Sequence, residues 1–212
     1  MRNLLIAAVA FLGAFPCPAQ VSPDPTRLLA RDTHEGLSVA ADPYTDVARD
    51  KARFGKKNPH DAGIMAIELF FRNDNDKPIR LELGSIRLLL APPEAARQRL
   101  EPMAVADVVD RVLNKEGPNP TVPRRQIPFP GRGPQGGRGK DWDQLESALR
   151  LSALEMDILP PRSTVHGFLY FDINHRYDFL AYARLVVNDL KYVHNNQALL
   201  YFEIDLARAA LH

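Results

Sequence analysis

The sequence predicts a mainly β protein: two packed antiparallel sheets of about seven strands, interrupted by a helical, Pro/Gly-rich insertion. Three observations carry this. Ile79, Leu81 and Leu83 alternate with Arg80 and Glu82, the period-two pattern of a strand with one wet face, and similar stretches recur at 164–173, 183–188 and 200–206. Turn-forming residues separate these runs, as in sandwich folds. A chain of 212 residues, 45% of them hydrophobic, is long enough to bury one sizeable core.

Residues 1–19 differ in kind from the rest. Arg2 gives a positive start, residues 4–15 are apolar, and Cys17 and Ala19 place small residues where a signal peptidase reads, so this segment is read as a cleaved secretory signal. A bilayer span needs about 20 apolar residues, and Pro16 and Pro18 end the run early. Pro16 just before Cys17 fits a lipoprotein badly. The localisation implied is secreted or periplasmic. Removal of the signal takes away Cys17, the single cysteine, so the mature chain has no thiol for a disulfide, a nucleophile or a zinc–thiolate site. It also removes Arg2, leaving 26 basic and 26 acidic residues. No net field then steers the chain toward nucleic acid or a membrane surface.

In chain order, residues 20–35 mix Pro, Asp, Arg and Thr and are read as a linker, with the folded domain at 36–206. A first strand runs over 36–41. Residues 45–62 are rich in charge and predict a solvated connection. Residues 64–92 predict a central hairpin whose turn is the polar stretch from Arg72 to Pro78, because Asn and Asp tolerate tight-turn angles. The apolar parity shifts after Gly84, which predicts a bulge or bend.

The insertion spans 92–152. Pro92-Pro93-Glu94 predicts a helix start, and Val105, Val108, Val109 and Val112 predict a second helix with one apolar stripe. Residues 117–140 are half Pro and Gly, with five basic residues and no acid, too biased to bury a core. Arg124, Arg125, Phe129, Arg132 and Arg138 are the candidate contacts of this loop for an acidic partner; the plainer reading is an exposed solubilising loop. Residues 141–152 predict a helix, with Trp142, Leu145 and Leu149 on one face and Trp142 as a packing residue. A strand at 154–158 follows, then those already named; in the last, Leu200, Phe202, Ile204 and Leu206 are expected inside.

Asp178-Phe179-Leu180-Ala181-Tyr182 leads into a strand in the manner of a tyrosine corner. With that segment and the strand spacing, residues 36–206 without the insertion resemble an immunoglobulin-like β-sandwich of exported bacterial proteins. The chain departs from that family in having no cysteine pair, in its lone tryptophan lying in the insertion, and in Arg184 standing where a second cysteine is found. The resemblance implies a binding or assembly role carried by loops.

Motif chemistry is sparse. No phosphate loop, dinucleotide fingerprint or Gly-x-Ser-x-Gly elbow is present. The histidines, at 34, 60, 166, 175, 194 and 212, have no metal-pair spacing. His166 on an apolar strand reads as structural. His175 and His194 lie in polar loops that are expected to meet at one end of a sandwich, and together they form the candidate site of an alternative enzyme or metal-binding reading. Asn73-Asp74-Asn75-Asp76 lacks the glycine and later glutamate of a calcium loop and reads as a turn. The sequence therefore predicts no catalytic set, no cofactor and no resident metal. It predicts an exported, non-enzymatic binding or assembly module whose partner is a protein or envelope component rather than nucleic acid.

Overall fold

A computed structural model describes residues 25–113 and 140–211. The signal segment, and Arg124, Arg125, Phe129, Arg132 and Arg138 of the basic loop, lie outside the described residues. Among those described, the strands are β1 (Arg31–His34), β2 (Leu37–Tyr44), β3 (Ile64–Asn73), β4 (Ile79–Arg80), β5 (Arg87–Leu90), β6 (Gln98–Leu100), β7 (Ile158–Leu159), β8 (Ser163–Asp172), β9 (Ala183–Val187), β10 (Lys191–Tyr192) and β11 (Phe202–Asp205). The helices are α1 (Val47–Phe54), α2 (Val105–Leu113) and α3 (Lys140–Ser152). The fold is mostly β, with three antiparallel sheets ordered β1-β2-β3-β8, β10-β4-β7 and β11-β9-β5-β6.

Three layers result. One face of the β1-β2-β3-β8 sheet packs on the other two sheets through Met65, Ile67, Leu69 and Phe71 of β3, Leu169 and Phe171 of β8, Leu88 and Leu90 of β5, and Leu185, Phe202 and Ile204. Its opposite face is covered by the helices. Ile64, Ala66, Phe168 and Tyr170 meet Phe54 of α1, Val108, Val109 and Val112 of α2, and Trp142, Leu145 and Leu149 of α3. The ring of Phe168 takes the edges of Tyr44 and Phe54 at 4.9 and 5.2 Å, the preferred aromatic arrangement. β3 is thus buried on both sides, which is why residues 64–71 form a nearly continuous apolar run.

Several expectations change against this frame. The linker read at 20–35 contains β1, joined to β2 by Glu35 and Gly36, both at positive φ (49° and 69°), a pattern that matches strand twist. Its sequence, Arg-Asp-Thr-His, carries no apolar signal because it is a half-buried edge. The solvated connection at 45–62 contains α1, started by Asp46, whose Oδ1 accepts the Ala48 amide at 2.9 Å. The central hairpin does not form: β3 pairs with β2 and β8, and the polar stretch carries the chain into a different sheet. Asn73 is fully buried there, its amide donating to Lys77 and Pro160 carbonyls, so this turn is a sheet-to-sheet crossing. The bend at Gly84 is a 3-10 turn, Leu83–Ser85.

Pro92-Pro93-Glu94 starts no helix; the chain makes β6 instead, pairing Leu89 with Arg99. α2 and α3 match their predicted stripes, and Trp142 packs as expected, with its indole N–H on Asp110 at 2.7 Å. The strand at 154–158 shrinks to β7 and an isolated bridge, because Leu154 is drawn onto β8 at Gly167, donating to the Phe168 carbonyl at 3.0 Å. Leu200 is exposed rather than inside. Tyr182 is also exposed, at 48%; the tyrosine hydroxyl fixed to upstream backbone belongs to Tyr177, 3.1 Å from the His60 carbonyl and 3.2 Å from that of Ile64. No helix among the described residues is long and apolar enough to cross a membrane.

Candidate ligand groove on the outer sheet

The sheet β11-β9-β5-β6 turns one face to the core and one outward. Period two decides the partition: Leu88, Leu90, Ala183, Leu185, Phe202 and Ile204 are buried, while Leu89, Arg184, Glu203 and Asp205 face out. Strand register then lines up residues far apart in sequence. Leu89 stands opposite Arg99 on one side and Arg184 on the other, and Arg184 stands opposite Asp205. At about 4.8 Å between strands, the row Arg99–Leu89–Arg184–Asp205 is about 14 Å long.

This row floors a groove of about 570 Å³, within the usual size of a ligand site. Arg97, Ala91, Tyr182 and Ala207 line it next to the row. Its two ends differ in charge. Arg184 is paired with Glu203 at 2.5 Å, and Asp205 accepts the Ala207 amide at 3.1 Å with the Arg208 Nε 3.8 Å away. Arg97 and Arg99 are exposed and have no ion pair among the described residues. Two guanidinium groups are therefore available for bidentate contact with an anion.

The histidines proposed from sequence do not converge. His175 lies beside Gly63 at the start of β3, while His194 follows Val193, whose amide bonds the Pro78 carbonyl past the far end of β3. Ten residues of strand put about 30 Å between those ends, so no shared His175–His194 site forms. His175 instead borders a polar cavity of about 660 Å³ with Lys56, Lys57, Asn58, Asp61 and Arg111. Most of that charge is spoken for: Lys57 pairs with Asp141 at 2.7 Å, Arg111 with Asp172 at 3.2 Å, and Asp61 accepts from Asn58 at 3.2 Å. The acids of the Asn73–Asp76 turn likewise face Arg72 and Arg162, consistent with a plain turn.

Two further groups stand out. His166 meets Glu68 at 2.9 Å and stacks on Phe70, while the Tyr44 hydroxyl donates to Glu68 at 3.4 Å. Burial and the Glu68 charge push the Tyr44 hydroxyl above its ordinary pKa. Asp50 on α1 is fully buried, and neither carboxylate oxygen has a hydrogen-bond partner. Loss of water, reinforced by Asp61 and Asp46, pushes it up to about 7 against the relief from Arg49. Among the described residues, no group of three or more His, Cys, Asp or Glu side chains is placed to hold a metal ion.

Sequence reasoning missed the groove because Arg97 and Arg99 sat in a stretch read as helical. The signal was the alternation Arg97-x-Arg99 and Glu203-x-Asp205, which becomes meaningful only once the register is known.

No protein-family model matches the chain, and no curated protein matches it. Among solved structures, the chain is similar to a functionally unknown protein from Listeria monocytogenes EGD-e, with 13% sequence identity and a TM-score of 0.34 over 75% of this chain and 69% of that one.

Proposed function

We propose that the protein is an exported, non-enzymatic binding module of the bacterial cell envelope, immunoglobulin-like in architecture, which holds an acidic partner in the groove of its outer sheet. The export part of this reading rests on the pattern of residues 1–19. The binding part rests on one observation: Arg97 and Arg99, without ion-pair partners, stand beside an apolar strip formed by Leu89 and Ala91. Exposed salt bridges add little to stability, so the fold gains little from Arg97, just before β6, or from Arg99 within it, and both guanidinium groups stay open to a ligand.

The composition of residues 117–140 favours a second reading, polyanion capture by the basic arm. Retention on immobilised heparin separates the two. The wild type should be retained, with retention falling as salt rises. The R97E/R99E double variant should lose at least tenfold in affinity, about 1.4 kcal/mol, and deletion of residues 117–140 should change little. The opposite pattern, loss on deletion and none on charge reversal, would assign binding to the arm.

A further inference from the structure

We infer that the ligand of this groove is an acidic glycan, a chain of sugar rings bearing carboxylates; the inference rests on the reading of the groove as the contact surface. Three features select this class over an acidic peptide. The groove runs across the strands. β5 lies between β6 and β9, and β9 between β5 and β11, so the backbone amides and carbonyls of these two central strands are already used in ladders, and on this side of the sheet the open edge is that of β6. An extended peptide binds a sheet by adding to a free edge and pairing its backbone; here that would lay it along β6, parallel to the strands, and not along the row that crosses them.

What the floor offers is side chains. Tyr182, 48% exposed, presents an aromatic ring at the lip, and Leu89 and Ala91 continue an apolar strip on which the C–H face of a sugar can lie. Arg97 and Arg99 supply planar forks for ring carboxylates. At the other end, Glu203 and Asp205 remain hydrogen-bond acceptors and suit hydroxyl groups, which an all-acid peptide lacks. The row of about 14 Å leaves room for more than one ring.

The test is calorimetric titration of the full chain with an oligogalacturonate, its methyl ester and an oligoglutamate of equal charge. The oligogalacturonate should bind. The ester should bind at least tenfold more weakly, as should the oligoglutamate. Y182A and R97E/R99E should each weaken the oligogalacturonate at least tenfold, with unchanged circular dichroism. If oligoglutamate binds as tightly as the oligogalacturonate, or Y182A binds like the wild type, the glycan assignment falls while an acidic-partner groove survives. If the oligogalacturonate does not bind although heparin retention depends on Arg97 and Arg99, the assignment falls in the same way. Loss of that dependence as well removes the groove reading itself.

Discussion

Replacing Asp50 by Asn is expected to stabilise the protein at neutral and alkaline pH and to flatten the pH dependence of its unfolding. Asp50 is fully buried with both oxygens unpartnered, and its pKa is pushed from 3.8 up to about 7, first by desolvation and then by Asp61 and Asp46. Tyr170 and Tyr177, both held above their ordinary values by burial, feel the same carboxylate. Between about pH 4 and 7 the folded state binds a proton at Asp50 that the unfolded state has released. Stability from this group is therefore complete below pH 3.8 and declines as the pH rises to about 7. At about 1.4 kcal/mol per pH unit, the full loss has an upper bound of about 4.4 kcal/mol. Denaturant unfolding of wild type and D50N between pH 4.5 and 8 reads this directly: the gap in free energy should widen with pH to roughly 2–4 kcal/mol in favour of D50N. Parallel curves would mean that the carboxylate is hydrated or partnered in solution.

The second large effect is expected at Gly167. A Cβ there would lie 2.7 Å from both the amide nitrogen and the Cα of Leu154. These are backbone atoms of the segment that leaves α3, and they are tied to β8 by the bond from Leu154 to the Phe168 carbonyl. They cannot swing aside as a side-chain tip would. G167A must lift that segment off the sheet, at about 1–3 kcal/mol for overpacking and about 1 kcal/mol for the hydrogen bond. Gly84 is the matched control, because its added Cβ would meet only Glu82 Oε1 at an ordinary 3.6 Å. G84A should stay within about 0.5 kcal/mol of wild type. A G167A variant equally close to wild type would show that the approach relaxes freely.

Elements with strong periodicity were legible in the sequence. Val108, Val109 and Val112 give the stripe of α2, Trp142, Leu145 and Leu149 that of α3, and alternation marks β9 and β11. Pairing was not legible. The stretch from Arg72 to Pro78 has the composition of a hairpin turn whether it reverses into the same sheet or leaves it. The difference lies in Asn73, whose amide bonds the Pro160 carbonyl, 87 residues away. β1 was invisible because an edge strand can be held by its neighbour's backbone alone. The groove was hidden for a related reason. Arg99, Arg184 and Asp205 acquire a common row only through the register of three strand pairs, and local pattern carries no register. Glu68 and His166 are similarly joined across 98 residues.

One strand, β3, contributes side chains to both hydrophobic interiors, with Met65, Ile67 and Leu69 on one side and Ile64 and Ala66 on the other. Departure of that strand would therefore open both interiors at once. Heat should accordingly melt sheets and helices in one step, a single calorimetric peak whose van't Hoff and measured enthalpies agree. Helices α2 and α3 are in this sense structural masonry rather than an appendage: cutting them away would turn the aromatic wall of Phe168 and Tyr170 toward water.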